Sequence, residues 1–551
     1  MGGSYFGLRG TRLNVAIGVV AGLDFLLFGY DQGVMGGLLT LPSFASTFPE
    51  IDLTEKTKKT LTSAEASHRS NIQGISVASY NVGCFFGSIV CIWIGDILGR
   101  RKTIFIGSVI MVVGAVLQAS AFSLAHFVIG RVITGLGNGL NTSTVPTWQS
   151  ECSKSHRRGQ LVMVEGALIT GGICLSYWLD FGFSFLEPSS VSWRFPVAFQ
   201  IVLAGFILAT VMLLPESPRW LILKGKEDEA LNVLGALSDL AADDPYINRE
   251  FIAIKDTVLE MQQGGFADLF TMTEERHFHR VVLAYVNQMF QQISGINLIT
   301  YYAAVIYETS IGLSGFMSRI LAACNGTEYF IASWIPVFIV EKVGRRPLML
   351  FGAVGMSLSM VVLAVVTSFE RQTKPGIVAA LFLFVFNTFF AVGWLGMTWL
   401  YPAEIVPLRI RAPANALSTS ANWAFNFMVV MVTPVAFTSI KYKTYIIFAV
   451  INAFIVPVVY IFYPETAYRS LEEMDTIFRK TDSIFSAVRV AAETPCLYGK
   501  NGEVLINYNE TEEQQRKSSA VGFETYTAEN KHHANPDHKV EAGNSSVHSS
   551  S

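Results

Sequence analysis

Between residues 15 and 463 one pattern recurs about twelve times: roughly 20 predominantly apolar residues, then a short polar connection. Stretches of that length and spacing leave few options. In hydrocarbon every backbone N–H and C=O must be satisfied within the segment, so each stretch reads as a membrane-spanning helix. The spans are expected at 15–39, 72–94, 103–122, 125–148, 159–181, 193–214, 281–307, 315–340, 346–368, 377–402, 412–438 and 443–463. Charged residues make up only 15% of the 551 residues and hydrophobic ones 51%, against about 25% charge in soluble domains. The fold class is therefore an all-α polytopic membrane protein, which excludes a soluble enzyme, a disordered chain and a disulfide-stapled scaffold. A net charge of −3 without a long basic run gives no reason to expect nucleic acid as a partner.

Short connections carry charge asymmetrically. Arg100, Arg101, Lys102, Lys154, Arg157, Arg158, Lys342, Arg345, Arg346, Arg409 and Arg411 fall on one side, and Arg371, Lys374, Lys441 and Lys443 on the other. The positive-inside rule then puts both termini in the cytoplasm. The chain divides into a cytoplasmic N-terminus (1–14), a six-helix bundle (15–214), a polar loop of short cytoplasmic helices (215–280), a second six-helix bundle (281–463) and a cytoplasmic, largely disordered tail (464–551). Residues 1–14 hold Arg9 and Arg12 and no small-residue cleavage site, so they lead into a retained first helix. The six cysteines form no CxxC pair, and the nine histidines avoid the centres of the spans. Neither a metal cluster nor a histidine relay is expected.

The two halves repeat. Asp96, Arg100 and Arg101 match Glu341, Arg345 and Arg346; Glu151 matches Glu404; Pro215-Glu216-Ser217 matches Pro464-Glu465-Thr466, all at an offset of about 250 residues. Two homologous bundles of this kind are the architecture of alternating-access transporters. In the seventh span Gln288, Gln291, Gln292, Gly295 and Tyr302 fall on one helical stripe, and Ser294-Gly295 predicts a local break that exposes backbone. Three amides on one apolar helix exceed what helix packing needs, and neutral amides are suited to replacing the hydration of a polyhydroxylated solute.

These anchors, together with Tyr30-Asp31, the 95–102 loop, Gly130-Arg131, Pro218-Arg219-Trp220, Gln291 to Asn297 and Tyr301-Tyr302, resemble the sugar porter family of the major facilitator superfamily. The text around Trp394 to Pro402 resembles its fungal hexose and pentose branch. The resemblance implies twelve helices in two pseudo-symmetric six-helix bundles, a plasma-membrane location, and a monosaccharide site formed by Gln288, Gln291, Gln292, Asn297, Tyr302, Asn426 and a stacking Trp399, preferred over Trp394. It implies that Asp31 and Arg131 face each other as a proton-coupling pair, with the proton as coupling ion and no other cofactor. Gly166, beside Glu165, stands where the family places a sugar-binding glutamine, so a widened site is expected there. The roles of Asp24, Glu165 and Glu328 stay open. Asp96, Arg100, Glu151, Glu216, Arg345 and Glu404 are expected to clamp the two bundles together at the cytoplasmic end. The partners implied are a small sugar and the lipid bilayer, with no obligate protein partner. A facilitative uniporter and a transporter-like sugar sensor are the alternatives; no nucleophile–histidine pair, metal cluster or phosphate loop points to an enzyme.

Overall fold

The computed structural model describes residues 5, 7–54, 57, 60–153, 158–262, 266–272, 274–369, 373–469 and 471–495. Among them there is no strand. The six helices of the first half are Gly10–Leu38, Ser63–Leu98, Arg100–Ala119, Leu124–Cys152, Arg158–Phe183 and Val191–Val211. The second half begins with a broken seventh span, His277–Gln291 and Asn297–Val305, and an eighth in two pieces, Gly315–Ala332 and Ile335–Val343. Arg345–Ser368 is the ninth span. The tenth is again broken, into Thr373–Phe390 and Met397–Ile405, and Arg411–Ser439 and Lys443–Phe462 complete the set.

Nine of these helices among the described residues are individually long and apolar enough to cross a membrane. The fourth falls short because it carries Arg131, Asn138, Asn141 and Thr142, the seventh because Asn287, Gln288, Gln291, Gln292 and Asn297 dilute its apolar run, and the eighth because it holds Arg319, Asn325 and Glu328 and breaks after Ala332. Outward positions such as Val15, Trp93, Phe338 and Phe454 are exposed and apolar. The interior holds the amides, hydroxyls and isolated charges. Such an inverted surface suits a lipid solvent.

Helix ends follow local rules. Thr62 opens the second span with a capping box: it accepts the Glu65 N–H at 3.3 Å while the Glu65 carboxylate accepts the Thr62 N–H at 2.9 Å. Gly99 (φ +87°) and Gly344 (φ +96°) make the turns into the third and ninth spans with nearly the same dihedral angles. A side chain there would be strained by that φ and would meet the carboxylates of Glu216 and Glu465 respectively.

The 215–280 segment contains helices Pro218–Leu223, Glu227–Ser238 and Pro245–Gln262. Order persists beyond the twelfth span, into the first part of the segment expected to be largely disordered: Leu471–Arg479 and Ala487–Glu493 are helical, and Met474, Ile477 and Phe478 are buried. An amphipathic helix that can bury three apolar side chains has reason to stay folded. The tail from 496 on, Lys154, Arg157, Arg371 and the side chain of Asp96 lie outside the described residues. The spans, the 215–280 helices and the two helices after 464 form one compact unit.

Candidate functional site

At Gly295 the seventh span abandons helical geometry (φ +103°), within a wide turn over Gln292–Ile296. A Cβ there would lie 2.9 Å from Met360 and 3.1 Å from the Phe448 ring. The tenth span has its own wide turn over Ala391–Leu395. Wide turns leave backbone carbonyls without helical partners, and the amides of the seventh span use them. Gln291 donates to the carbonyls of Trp394 (3.3 Å) and Leu395 (3.2 Å). Gln292 donates to the Gln291 side chain at 2.9 Å, and Asn297 donates to Gln292 at 2.5 Å. Asn422 of the eleventh span donates to Gln288 (2.7 Å) and Gln291 (3.1 Å).

This network walls a central cavity of about 40 Å³, room for roughly three waters. Gln291, Gln292, Asn297 and Trp399 line it, with Gln32 from the first span, Thr300 and Asn422. Three expected members do not. Gln288 spends its amide on the Thr398 carbonyl (3.0 Å) and on Asn422, and Tyr302 donates to the Val430 carbonyl (2.9 Å). Asn426 accepts from Asn81 of the second span at 2.9 Å, tying the two halves together. The break at Gly295 resets the helical phase ahead of Tyr302, whereas Gln288, one turn before Gln291 on the unbroken helix, is taken by the tenth and eleventh spans, and Asn426 on the eleventh span meets the second. Trp394 is 0% exposed, donates to the Met349 carbonyl at 3.1 Å and meets Phe290 edge-on, which makes it core. Trp399 is half-buried at the cavity wall.

Gln32, Thr300 and Asn422 were not among the expected contacts. For Gln32 the signal was available, as a lone amide in an apolar span directly after Asp31. Gly166 does not widen the cavity as expected: its Cβ position faces Leu395 at 3.5 Å and the Gly396 backbone at 3.8 Å, so the absent side chain lets the fifth and tenth spans approach.

Asp31 and Arg131 are each 1% exposed but form no ion pair within 4.0 Å. Tyr80 stands at both. Its hydroxyl donates to Asp31 Oδ2 at 3.4 Å, and the Arg131 guanidinium lies 5.2 Å from its ring centroid. Arg131 also donates to the Val77 carbonyl at 3.1 Å. Asp31 Oδ1 and Arg131 Nε have no partner among the described residues. Asp24 accepts from Asn141 at 2.7 Å, Glu328 accepts from Thr388, and Glu165 is buried. Asp180, a further buried acid that sequence reasoning missed, packs against Gly37 of the first span.

The charged clusters at the loop end, expected to clamp the two bundles together, pair within each half among the described residues. Arg100 pairs with Glu151 at 3.1 Å. Arg345 pairs with Glu404 at 2.6 Å and Glu341 at 2.9 Å. Glu216 accepts the backbone N–H groups of Arg100 (3.0 Å) and Arg101 (3.2 Å), and Glu465 those of Arg345 (2.8 Å) and Arg346 (3.1 Å). The repeated Pro-Glu-Ser/Thr motif thus caps the N-termini of the third and ninth spans, where a carboxylate meets orphan N–H groups and the positive end of the helix dipole. Burial raises the Glu216 carboxyl above the ordinary glutamate value, opposed by the N–H groups of Ser217 and Arg101 and by the Arg101 guanidinium.

The model of the family described as sugar (and other) transporter matches residues 16–478. The chain is 40% identical over 484 residues to sugar transporter STL1 of Saccharomyces cerevisiae, covering 87% of this chain and 83% of that one. It is 38% identical over 525 residues to the MFS-type transporter oryC of Aspergillus oryzae, covering 94% of each. Among solved structures, the proton:xylose symporter XylE of E. coli bound to 6-bromo-6-deoxy-D-glucose matches with a TM-score of 0.71 and 26% identity, over 85% of this chain and 99% of that one.

Proposed function

The chain belongs to the family of sugar (and other) transporters of the major facilitator superfamily, and from that premise we propose that it carries a monosaccharide, hexose or pentose, together with a proton across the plasma membrane. The observation that carries this reading is the amide cluster Gln291, Gln292, Asn297 and Asn422 lining a central cavity together with a half-buried Trp399. Neutral donors and acceptors replace the water around sugar hydroxyls at no charge cost, and an indole face accepts the C–H side of a pyranose ring. The likeness to a protein named as a sugar transporter and to one titled a proton:xylose symporter supports the same substrate class and coupling ion.

In this reading both termini and the Arg100 and Arg345 clusters are cytoplasmic. The cavity as it stands is too small for a sugar, so loading requires the two bundles to part. Hydrogen bonds between the halves would break and re-form, such as Asn81–Asn426 (2.9 Å), Ser70–Thr438 (2.8 Å) and Thr170–Ser333 (2.9 Å). The arginine clusters, paired within each half among the described residues, would keep each bundle rigid while this happens. Asp31 would take a proton from one side and release it to the other, with Tyr80 and Arg131 deciding how well its charged form is tolerated.

The test is an uptake panel of glucose, xylose, arabinose, galactose and a disaccharide in a host lacking its own hexose uptake, with and without a protonophore. Symport predicts uphill accumulation of a monosaccharide that the protonophore abolishes. Equilibration insensitive to the protonophore would favour a uniporter, and absence of flux for every sugar would overturn transport in favour of a sensor.

A further inference from the structure

Asp31 and Gln32 are consecutive residues of one helix, so their side chains leave the axis about 100° apart. Asp31 turns to Tyr80 and the neighbourhood of Arg131. Gln32 turns into the cavity, beside Gln291, Gln292, Asn297 and Asn422. Those four amides are bonded to one another or to the tenth span. Gln32 is different: it is 8% exposed and lines the cavity, yet its amide hydrogen-bonds to no described residue. A nearly buried amide with donors and acceptor all free is an incomplete arrangement, and a solute hydroxyl in the cavity would complete it.

The helix that carries both residues has little slack. Gly29 and Gly33 of the first span pack on the backbone of Ile169 and Ile173, and Gly172 of the fifth span packs on the Leu26 carbonyl. With no side chains between the two backbones, the first and fifth spans form one stiff unit. A displacement imposed at Gln32 is therefore passed along the same turn to Asp31 rather than absorbed in loose packing.

Resting on the symport reading above, we infer that Gln32 is the residue through which occupancy of the cavity is communicated to Asp31: it bonds a hydroxyl of a neutral polyhydroxylated solute, and the resulting shift of its turn changes the approach of Asp31 to Tyr80. Gln32 is then both a substrate contact and a positioning residue for the coupling acid, whereas Gln291 and Gln292, on the opposite bundle, only bind.

The full-length chain reconstituted in liposomes, with D-glucose and D-xylose as probes, tests this through two readouts: the half-saturation of sugar exchange and the ratio of protons to sugar moved. Gln32→Ala is expected to raise the half-saturation about tenfold, the worth of one good hydrogen bond to a buried group, and to lower the proton:sugar ratio. Gln32→Asn, a shorter amide, should restore part of both. A raised half-saturation with an unchanged ratio would overturn the link to Asp31, and wild-type values of both would overturn the contact as well. If Gln32→Ala does not reconstitute, the same two readouts on Gln32→Asn decide. Wild-type exchange without proton movement would instead overturn the symport reading, and no exchange of either sugar by the wild type would overturn monosaccharide transport.

Discussion

The carboxylate of Asp31 and the guanidinium of Arg131 are sealed inside the same six-helix bundle without forming an ion pair, and the Tyr80 side chain fills the place of the missing contact. Two opposite charges deep in an apolar interior that do not touch are poised rather than locked. A direct pair would favour ionised Asp31; in the symport reading proposed above, its absence would leave that charge to be decided by small movements of the surrounding helices.

Asp31→Asn should therefore abolish protonophore-sensitive accumulation while counterflow of labelled sugar continues. Accumulation at the wild-type level in the variant would remove Asp31 from the coupling step.

Tyr80→Phe removes only the hydroxyl that meets Asp31 at 3.4 Å. We expect slower proton-driven uptake and an apparent sugar affinity within about threefold of wild type, since the lost bond is long and lies away from the cavity. Initial-rate kinetics in whole cells would check it; a large rise in half-saturation with a normal maximal rate would contradict it.

The two tryptophans of the tenth span should separate binding from folding. Trp394 is core, so Trp394→Ala leaves a large void and should cost roughly 3–5 kcal/mol of stability, visible as a lower melting temperature in detergent. Trp399→Ala should melt close to wild type and lose most sugar affinity. Doubly changing Gln291 and Gln292 to alanine should eliminate transport without loss of membrane-inserted protein.

Arg345 lies almost wholly buried between Glu341 and Glu404 of its own half. Arg345→Ala would strand the Glu404 carboxylate, a loss on the order of 3–5 kcal/mol for a buried pair broken from one side. The expected result is a destabilised second bundle and slow transport with unchanged apparent sugar affinity. Adding Glu404→Gln should recover part of the thermal stability, because the uncompensated charge disappears with it; no recovery would argue that Arg345 contacts something outside this cluster.

The positions of the spans were legible in the residue order, because lipid obliges each segment to satisfy its own backbone and so writes length and apolarity into every crossing. The repeated Gly-Arg-Arg and Pro-Glu-Ser/Thr pieces likewise announced two related halves, since each pair serves a local purpose, a positive-φ turn and a carboxylate on the helix start that follows it. Which polar side chains converge was not written there. A regular helix would have carried Gln291 and Tyr302 along one stripe, but the turn at Gly295 shifts the phase before Tyr302, which turns to the Val430 carbonyl, while Gln288 is taken by the tenth and eleventh spans and Gln291, Gln292 and Asn297 stay at the cavity. Asn422 rather than Asn426 at the cavity, Tyr80 between Asp31 and Arg131, and arginine clusters closed within each half are decided in the same way. Local sequence sets how each helix begins, ends and breaks, whereas the rotation of one helix against another is set only when all twelve pack, and that rotation determines which side chains meet.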